Sequence, residues 1–397
     1  MTIDLIPCRK VQIVRPKQIC QPKPVNLKAI LAPLDIPNPK HLRQTVELLT
    51  AFPTRNSLSP NLRPACEALK AQLHQHNALQ VELMDYTLPQ GRRIPEPTPC
   101  TQVIATLPGT RPNRILIGGH LDSLNLSVKP EEGPAPGAND DASGVAVTAE
   151  IARILAAKSH PNTLQFIAFT GEEQGLLGAT ALAARAKSEN WIIDAMLNND
   201  TVGSSSNLSG QKDDQSIRIF SEEAETHNSR ELARFVELII RETQPEFRAK
   251  LVFRRDRFGR GGDHTPFASA GFNAVRFIEV HEEFAHQHTP DDTIDKMDFD
   301  YLARVAAANL AVMATLAQAG DSPQEVQIKR DQTHDTTITW KATPGIKYVV
   351  YHRETTSPVW QSAVPVGEAD SHTVKLVNKD DHIFAVGAEY GVPLEAQ

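Results

Sequence analysis

The stretch Ile115-Leu116-Ile117-Gly118-Gly119-His120-Leu121-Asp122-Ser123 decides how this chain is read. A short apolar run between breakers reads as a buried strand of a parallel sheet. Side chains alternate along a strand, so His120 and Asp122 point to the same side. A carboxylate beside an imidazole can hold one ring nitrogen and leave the other for a metal. An isolated His-x-Asp is more often a satisfied core histidine. The question is therefore what else the chain places at the ends of its strands.

Outward from this stretch, strands and helices alternate. Downstream, Asn139-Asp140-Asp141 opens a helix over 144–158. A strand over 163–170 runs into Glu172-Glu173, and a helix covers 176–188. A strand over 192–199 ends at Asp200. Strand 216–221, helix 229–243, strands 251–254 and 273–279 and an amphipathic helix over 299–317 follow. Upstream, helical spacing runs from Asn38 to Pro53 and again over 61–76, before strands at 81–86 and 101–107. This pattern predicts an α/β domain with a largely parallel sheet. Functional residues should sit at the carboxyl ends of its strands, and His120, Glu172, Glu173 and Asp200 each follow an apolar run.

The flanks differ in texture. Residues 1–40 are Pro-rich and read as an irregular arm. After Gly320 the chain is β-rich, with strands expected at 336–340, 346–353, 372–376 and 382–390. A small all-β sandwich over 322–397 follows from that spacing, leaving 41–319 for the α/β domain.

The net charge of -7 over 397 residues argues against a nucleic-acid binder, which carries a basic excess. The start has no apolar core of signal-peptide length. No run reaches the roughly 18 apolar residues of a membrane span. The expectation is a soluble, unexported chain. None of Cys8, Cys20, Cys66 and Cys100 forms a Cys-x-x-Cys pair, so a zinc knuckle is not expected and free buried thiols are.

The polar residues at strand ends, with His288 in His286-Gln287-His288, form a set suited to two divalent metals of intermediate hardness. Two cations about 3.5–4 Å apart need a shared anionic ligand, and an Asp can bridge with its two oxygens. A carboxylate that is not a ligand must also take the proton of an attacking water. Glu172-Glu173, adjacent in a turn, can divide the two roles. The residues alone leave open whether Asp140 or Asp141 bridges.

Six segments carry a family resemblance: GGHLDS at 118–123, GANDDASGVA at 137–146, FTGEEQGLLGA at 169–179, NNDTVGS at 198–204, GGDHTPF at 261–267 and HTPDDT at 288–293. Over residues 40–318 the chain resembles the M28 family of metallopeptidases, the co-catalytic zinc aminopeptidases and their relatives. The resemblance implies a three-layer α/β/α sandwich with a mostly parallel mixed sheet. It implies two zinc ions per chain and a peptide substrate cleaved at its amino end. His120, Asp140, Glu173, Asp200 and His288 would bind metal, Asp140 as the bridge. Glu172 would be the general base, and Asp122 would hold His120. A cis peptide would follow Asp140. Where several members have Tyr before the last His, this chain has Gln287. His264 is expected in a pocket wall, Asp263 behind the ligands, and Glu282 or Glu283 near the substrate amine. A carboxypeptidase or a glutaminyl-cyclase-like enzyme is the alternative on the same fold, with Arg254–Arg260 as a source of the arginine a carboxypeptidase needs. A non-catalytic binding protein is the alternative of another class. The C-terminal part resembles a fibronectin type III domain, through TTITW at 336–340, YVVYHR at 348–353 and HIFAVGAEY at 382–390.

Overall fold

A computed structural model describes residues 27–127, 133–222, 226–331 and 334–397. The chain begins with helices α1 (Leu27–Leu31), α2 (Pro39–Thr50) and α3 (Leu62–Leu73), then strands β1 (Gln80–Leu88), β2 (Thr98–Leu107) and β3 (Asn113–His120). A distorted turn at Ala138–Ala142 leads into α4 (Ser143–Leu155), β4 (Thr163–Phe169), α5 (Leu177–Ser188), β5 (Ile192–Asn199), β6 (Ser216–Phe220) and α6 (Ser229–Thr243). Then come β7 (Arg248–Val252), α7 (His264–Ser269), β8 (Ala274–Ile278) and α8 (Phe299–Leu316).

The sheet order is β1-β2-β4-β3-β5-β8-β6-β7. Its centre, β4-β3-β5-β8, is parallel. Antiparallel pairings join β1 to β2, β2 to β4 and β6 to β8. The period of two along β3 divides the core. Ile115 and Ile117 pack into one cluster with α2, α3, α4, α6 and α8, whereas Leu116 packs into the other with α5 and α7. This is the three-layer α/β/α sandwich. The ends of its helices are fixed locally: the Asn38 side chain accepts from Lys40 N at the start of α2, and Asp298 does the same for Tyr301 N at α8. Such caps satisfy donors that the first helical turn leaves open. By length and composition α8 could cross a bilayer, but 78% of it is buried in the fold, as in a core helix.

Two glycines let the site approach the sheet. A Cβ on Gly119 would lie 2.6 Å from Asp141 Oδ2, and one on Gly144 would lie 2.2 Å from the Asn199 carbonyl. Only glycine lets the start of α4 lie this close to the tips of β3 and β5.

Beyond α8, a three-stranded sheet combines β9 (Gln324–Ile328), β10 (Thr336–Lys341) and β13 (Ser371–Val374). A four-stranded sheet combines β11 (Tyr348–Glu354), β12 (Ser362–Gly367), β14 (His382–Ala388) and β15 (Leu394–Glu395). Trp340, Tyr348, Val350, Phe384 and Val386 fill the space between the two sheets. The other face of β11 presents Val349 and Tyr351, which pack with Trp360 and Ala363 against Leu238 of α6. Hydrogen bonds from Arg234 to the Pro358 carbonyl and from Arg241 to the Trp360 carbonyl border this seam.

Several expectations need correction. The stretch expected as an irregular arm contains α1 and the start of α2; its residues 1–26 lie outside the described residues. Helix α7 is too short, with Pro266 inside it, to give a helical period. Strands β9 and β12 do not follow from the spacing of apolar residues; β12 contains Pro365, beside a register shift in its pairing with β11. Cys66 and Cys100 are free and buried, while Cys8 and Cys20 lie outside the described residues.

Candidate metal centre

The end of β3, the turn before α4, the turn after β4, the tip of β5 and the loop between β8 and α8 meet at one point. Asp140 is at its centre. His120 Nε2 lies 3.0 Å from Asp140 Oδ1, and His288 Nε2 lies 3.1 Å from Asp140 Oδ2. His288 Nε2 is also 3.2 Å from Glu173 Oε2, and His120 Nε2 is 3.8 Å from Asp200 Oδ1. The two oxygens of one carboxylate thus face two different imidazoles, with a further carboxylate on each side. All five residues expected to bind metal are brought together.

The neighbouring Asp141 has a different task. Its carboxylate accepts from the main-chain N–H groups of His120, Gly144 and Thr201 and from the Ser143 hydroxyl. Those bonds tie β3, α4 and β5 together and occupy its lone pairs. Asp140 Oδ2, by contrast, is buried and has no hydrogen-bond donor of good geometry. The Asp140–Asp141 peptide is cis, as the resemblance implied.

Asp122 holds the site in a way that strand alternation does not suggest. Its main-chain carbonyl, not its carboxylate, takes His120 Nδ1, at 2.9 Å; the carboxylate stands 3.7 Å away. The carboxylate instead accepts from the N–H groups of Glu172 and Glu173, each at 3.3 Å, and from the Ser57 hydroxyl. The Nδ1–H bond leaves Nε2 free to face Asp140. Because Asp122 lies beyond the end of β3, alternation no longer governs where it points.

The electrostatics are those of carboxylates crowded out of water. Burial raises Glu172 well above the ordinary carboxylate range; His120 opposes this, and the charges of Asp200, Glu173 and Asp263 add to it. Burial would likewise raise Asp140, but the His120 and His288 imidazoles outweigh it and hold the carboxylate well below its usual value. Burial would lower His288, yet pairing with Asp140 and Glu173 raises it to about 11. The cluster demands positive charge at its centre. The donor set fits a divalent cation on that ground, on the buried oxygens Asp140 Oδ2 and Glu173 Oε1, which receive no well-directed hydrogen bond, and on its mixture of imidazole and carboxylate, which suits zinc. Ligand atoms of Asp140, Glu173 and His288 lie within 4.8 Å of one another.

Some important residues are not evident from the motifs. Arg276, in the middle of β8, is buried and pairs with Asp200 Oδ2 at 3.0 Å and Asp256 Oδ2 at 2.9 Å. An arginine inside an otherwise apolar strand is the available signal, since a buried charge needs a partner. Asp292, which lies inside the HTPDDT segment but is given no role by it, accepts from the N–H groups of Asn139 and Asp140 and so fixes the turn that carries Asp140. Arg55 is buried and binds the carbonyls of Leu121 and Gly137 behind the site. Of the expected neighbours, His264 Nε2 meets the Arg255 carbonyl at 2.8 Å and pairs with none of the five residues expected to bind metal. Burial lowers it to about 4. Asp263 is fully buried, with neither oxygen hydrogen-bonded. The Glu282 carboxylate is taken up by Arg218 and Arg257, so it does not offer itself to a substrate amine.

An α/β sandwich with imidazoles and carboxylates gathered at the carboxyl tips of its parallel strands is the frame of a metal-dependent hydrolase. The profile of Peptidase family M28 matches residues 102–313. A protein of Leptosphaeria maculans named probable zinc metalloprotease is 34% identical over 410 residues, covering 92% of this chain and 94% of its own. This chain therefore belongs to the M28 family of metallopeptidases. Among solved structures, an aminopeptidase from Aneurinibacillus sp. strain AM-1 is similar with a TM-score of 0.56 at 19% identity, over 72% of this chain and 95% of that one. A Bacteroides thetaiotaomicron glutaminyl cyclase is similar with a TM-score of 0.58 at 17% identity, over 71% of this chain and 99% of that one. At such identities the likeness speaks for the fold alone.

Proposed function

We propose that this M28 peptidase is a zinc exopeptidase that uses two zinc ions per chain to release the amino-terminal residue of a peptide. The observation that carries the proposal is the position of Asp140, with one oxygen toward His120 and the other toward His288. His120 and Asp200 would hold one ion, Glu173 and His288 the other, and Asp140 both. The Leptosphaeria relative, named for zinc, supports the choice of metal, and the Aneurinibacillus aminopeptidase is an example of this fold carrying such a reaction. When bound, the ions would polarise the scissile carbonyl and make water acidic enough to react near neutral pH.

The chain's own residues divide the remaining work. Glu172 lines the cleft with His120 and Glu173. Its backbone is pinned by Asp122, so its carboxylate can accept the proton of the attacking water and pass it to the leaving amine. Asp122 and Asp141 position the main chain and touch no substrate. Gln287 stands beside His288 and can donate an amide hydrogen toward a developing oxyanion. The C-terminal sheets, which we propose form a fibronectin type III-like unit over 322–397 beside a catalytic unit over 41–319, supply no residue to this cluster.

An aminoacyl-p-nitroanilide panel in the presence of zinc tests this proposal. The parent should cleave Leu-p-nitroanilide and leave an N-acetylated peptide intact. Glu172→Gln should keep its zinc while turnover falls by about 10²–10⁴-fold. Turnover within a few-fold of the parent would remove Glu172 from the mechanism.

A further inference from the structure

Two recesses meet at the metal centre, and arginines line only one of them. Asp140 and Gln287 line both. The smaller recess is acidic, with Glu279, Glu283 and Asp292 in its wall. The larger cleft, which holds Glu172, Glu173 and His288, is walled by arginines. Two of these are spoken for: Arg276 by Asp200 and Asp256, Arg257 by Asp256 and Glu282. Arg255 leans on the Ser269 hydroxyl and on Glu222.

Arg93 and Arg260 differ. Among the described residues, no carboxylate pairs with Arg93. Its Nη1 instead donates to the main-chain carbonyl of Glu173 at 2.6 Å. Arg260 Nη2 donates to Gln287 Oε1 at 3.2 Å, and the Glu282 carboxylate it faces at 4.0 Å is already bound by Arg218 and Arg257. Each guanidinium is thus anchored within one residue of a metal-binding position, Arg93 on Glu173 and Arg260 beside His288. Each keeps further N–H groups for a ligand. A guanidinium fork matches a carboxylate better than any neutral group.

We infer that Arg93 and Arg260 recognise a carboxylate on the substrate, making short peptides with an anionic group just beyond the scissile bond the preferred class. This rests on the exopeptidase proposal above and adds the substrate's charge. The carboxylate has two possible sources, the free carboxyl end of a dipeptide or an acidic side chain following the cleaved bond.

Calorimetric titration of the zinc-loaded Glu172→Gln protein with Leu-Leu, Leu-Leu amide and Leu-Glu amide separates them. Leu-Leu should bind roughly tenfold or more tightly than its amide if the carboxyl end is read. Leu-Glu amide should show that advantage if the side chain is read. On the same background, Arg93→Gln and Arg260→Gln should each shrink the ratio to within about threefold, and Arg260→Lys should restore part of it, since it keeps the charge without the fork. Both residues lie at the protein surface, and zinc content checks that each variant is intact. Equal binding of all three ligands, or a preference that survives both Arg→Gln changes, would overturn the inference. Failure of the exopeptidase proposal shows separately, as a zinc-loaded parent that turns over none of the three.

Discussion

The tips of the parallel strands and the seam between α6 and the four-stranded sheet are both buried, yet they are built from opposite materials. At the tips, His120, Asp140, Asp141, Asp200, Asp263 and Arg276 are packed together away from solvent. At the seam, Leu238 meets Val349, Tyr351, Trp360 and Ala363, and the arginines stay at the margin. A buried charge is tolerated only with the right partner at the right atom, so each residue at the tips is fixed in identity. An apolar seam asks only for volume and shape, so its residues can be exchanged at modest cost.

That contrast can be broken first at Arg276. Replacing it by Gln leaves Asp200 and Asp256 without their shared cation. The expected cost is about 3–5 kcal/mol of folding stability, read from chemical denaturation of the full chain. A loss of less than about 1 kcal/mol would mean that the tips are less tightly coupled than the distances suggest. The matching change at the seam is Leu238→Ala, for which about 2 kcal/mol is expected, at the low end for a buried Leu because the helix and the sheet can close over the gap. Zinc uptake should be unaffected, since no seam residue reaches the centre. A loss of zinc affinity would show that the C-terminal sheets support the site.

The same contrast governs what is legible in the sequence. The site can be read because its residues break a pattern: His120 and Asp200 end apolar runs, and Glu172-Glu173 ends a third. Arg276 breaks the pattern too, but it lies mid-strand in Ala274–Ile278 rather than at a strand end, where functional residues are sought. Which atom of Asp122 holds His120 depends on a turn beyond the strand, where alternation gives no guidance. The seam is hidden for the opposite reason. Tyr348-Val349-Val350-Tyr351 is apolar without alternation, the mark of a strand buried on both faces. A simple sandwich accounts for only one of those faces. Short elements such as α1 and α7 carry too few residues for any period to emerge.

A smaller effect separates the two regions by pH. Burial and the neighbouring His382 lower His352 of β11 to about 4. A histidine depressed in the folded state stabilises it above the unfolded value of about 6.5. That contribution fades as the pH falls from there through 4, because the unfolded chain takes up the proton first. Thermal unfolding should therefore show a shallower acid decline in His352→Phe than in the parent between about pH 6.5 and pH 4. Parallel curves would assign the acid sensitivity to other groups, with His264 the first to examine.

The proposed mechanism would have Asp140 share its two oxygens between two cations at the strand tips. Zinc titration of metal-free protein, followed by calorimetry and metal analysis, addresses this directly. Two zinc ions per folded chain are expected, with Asp140→Asn weakening the uptake of both. A folded parent that takes up only one ion, or an Asp140→Asn variant that binds two as tightly as the parent, would contradict the shared bridge.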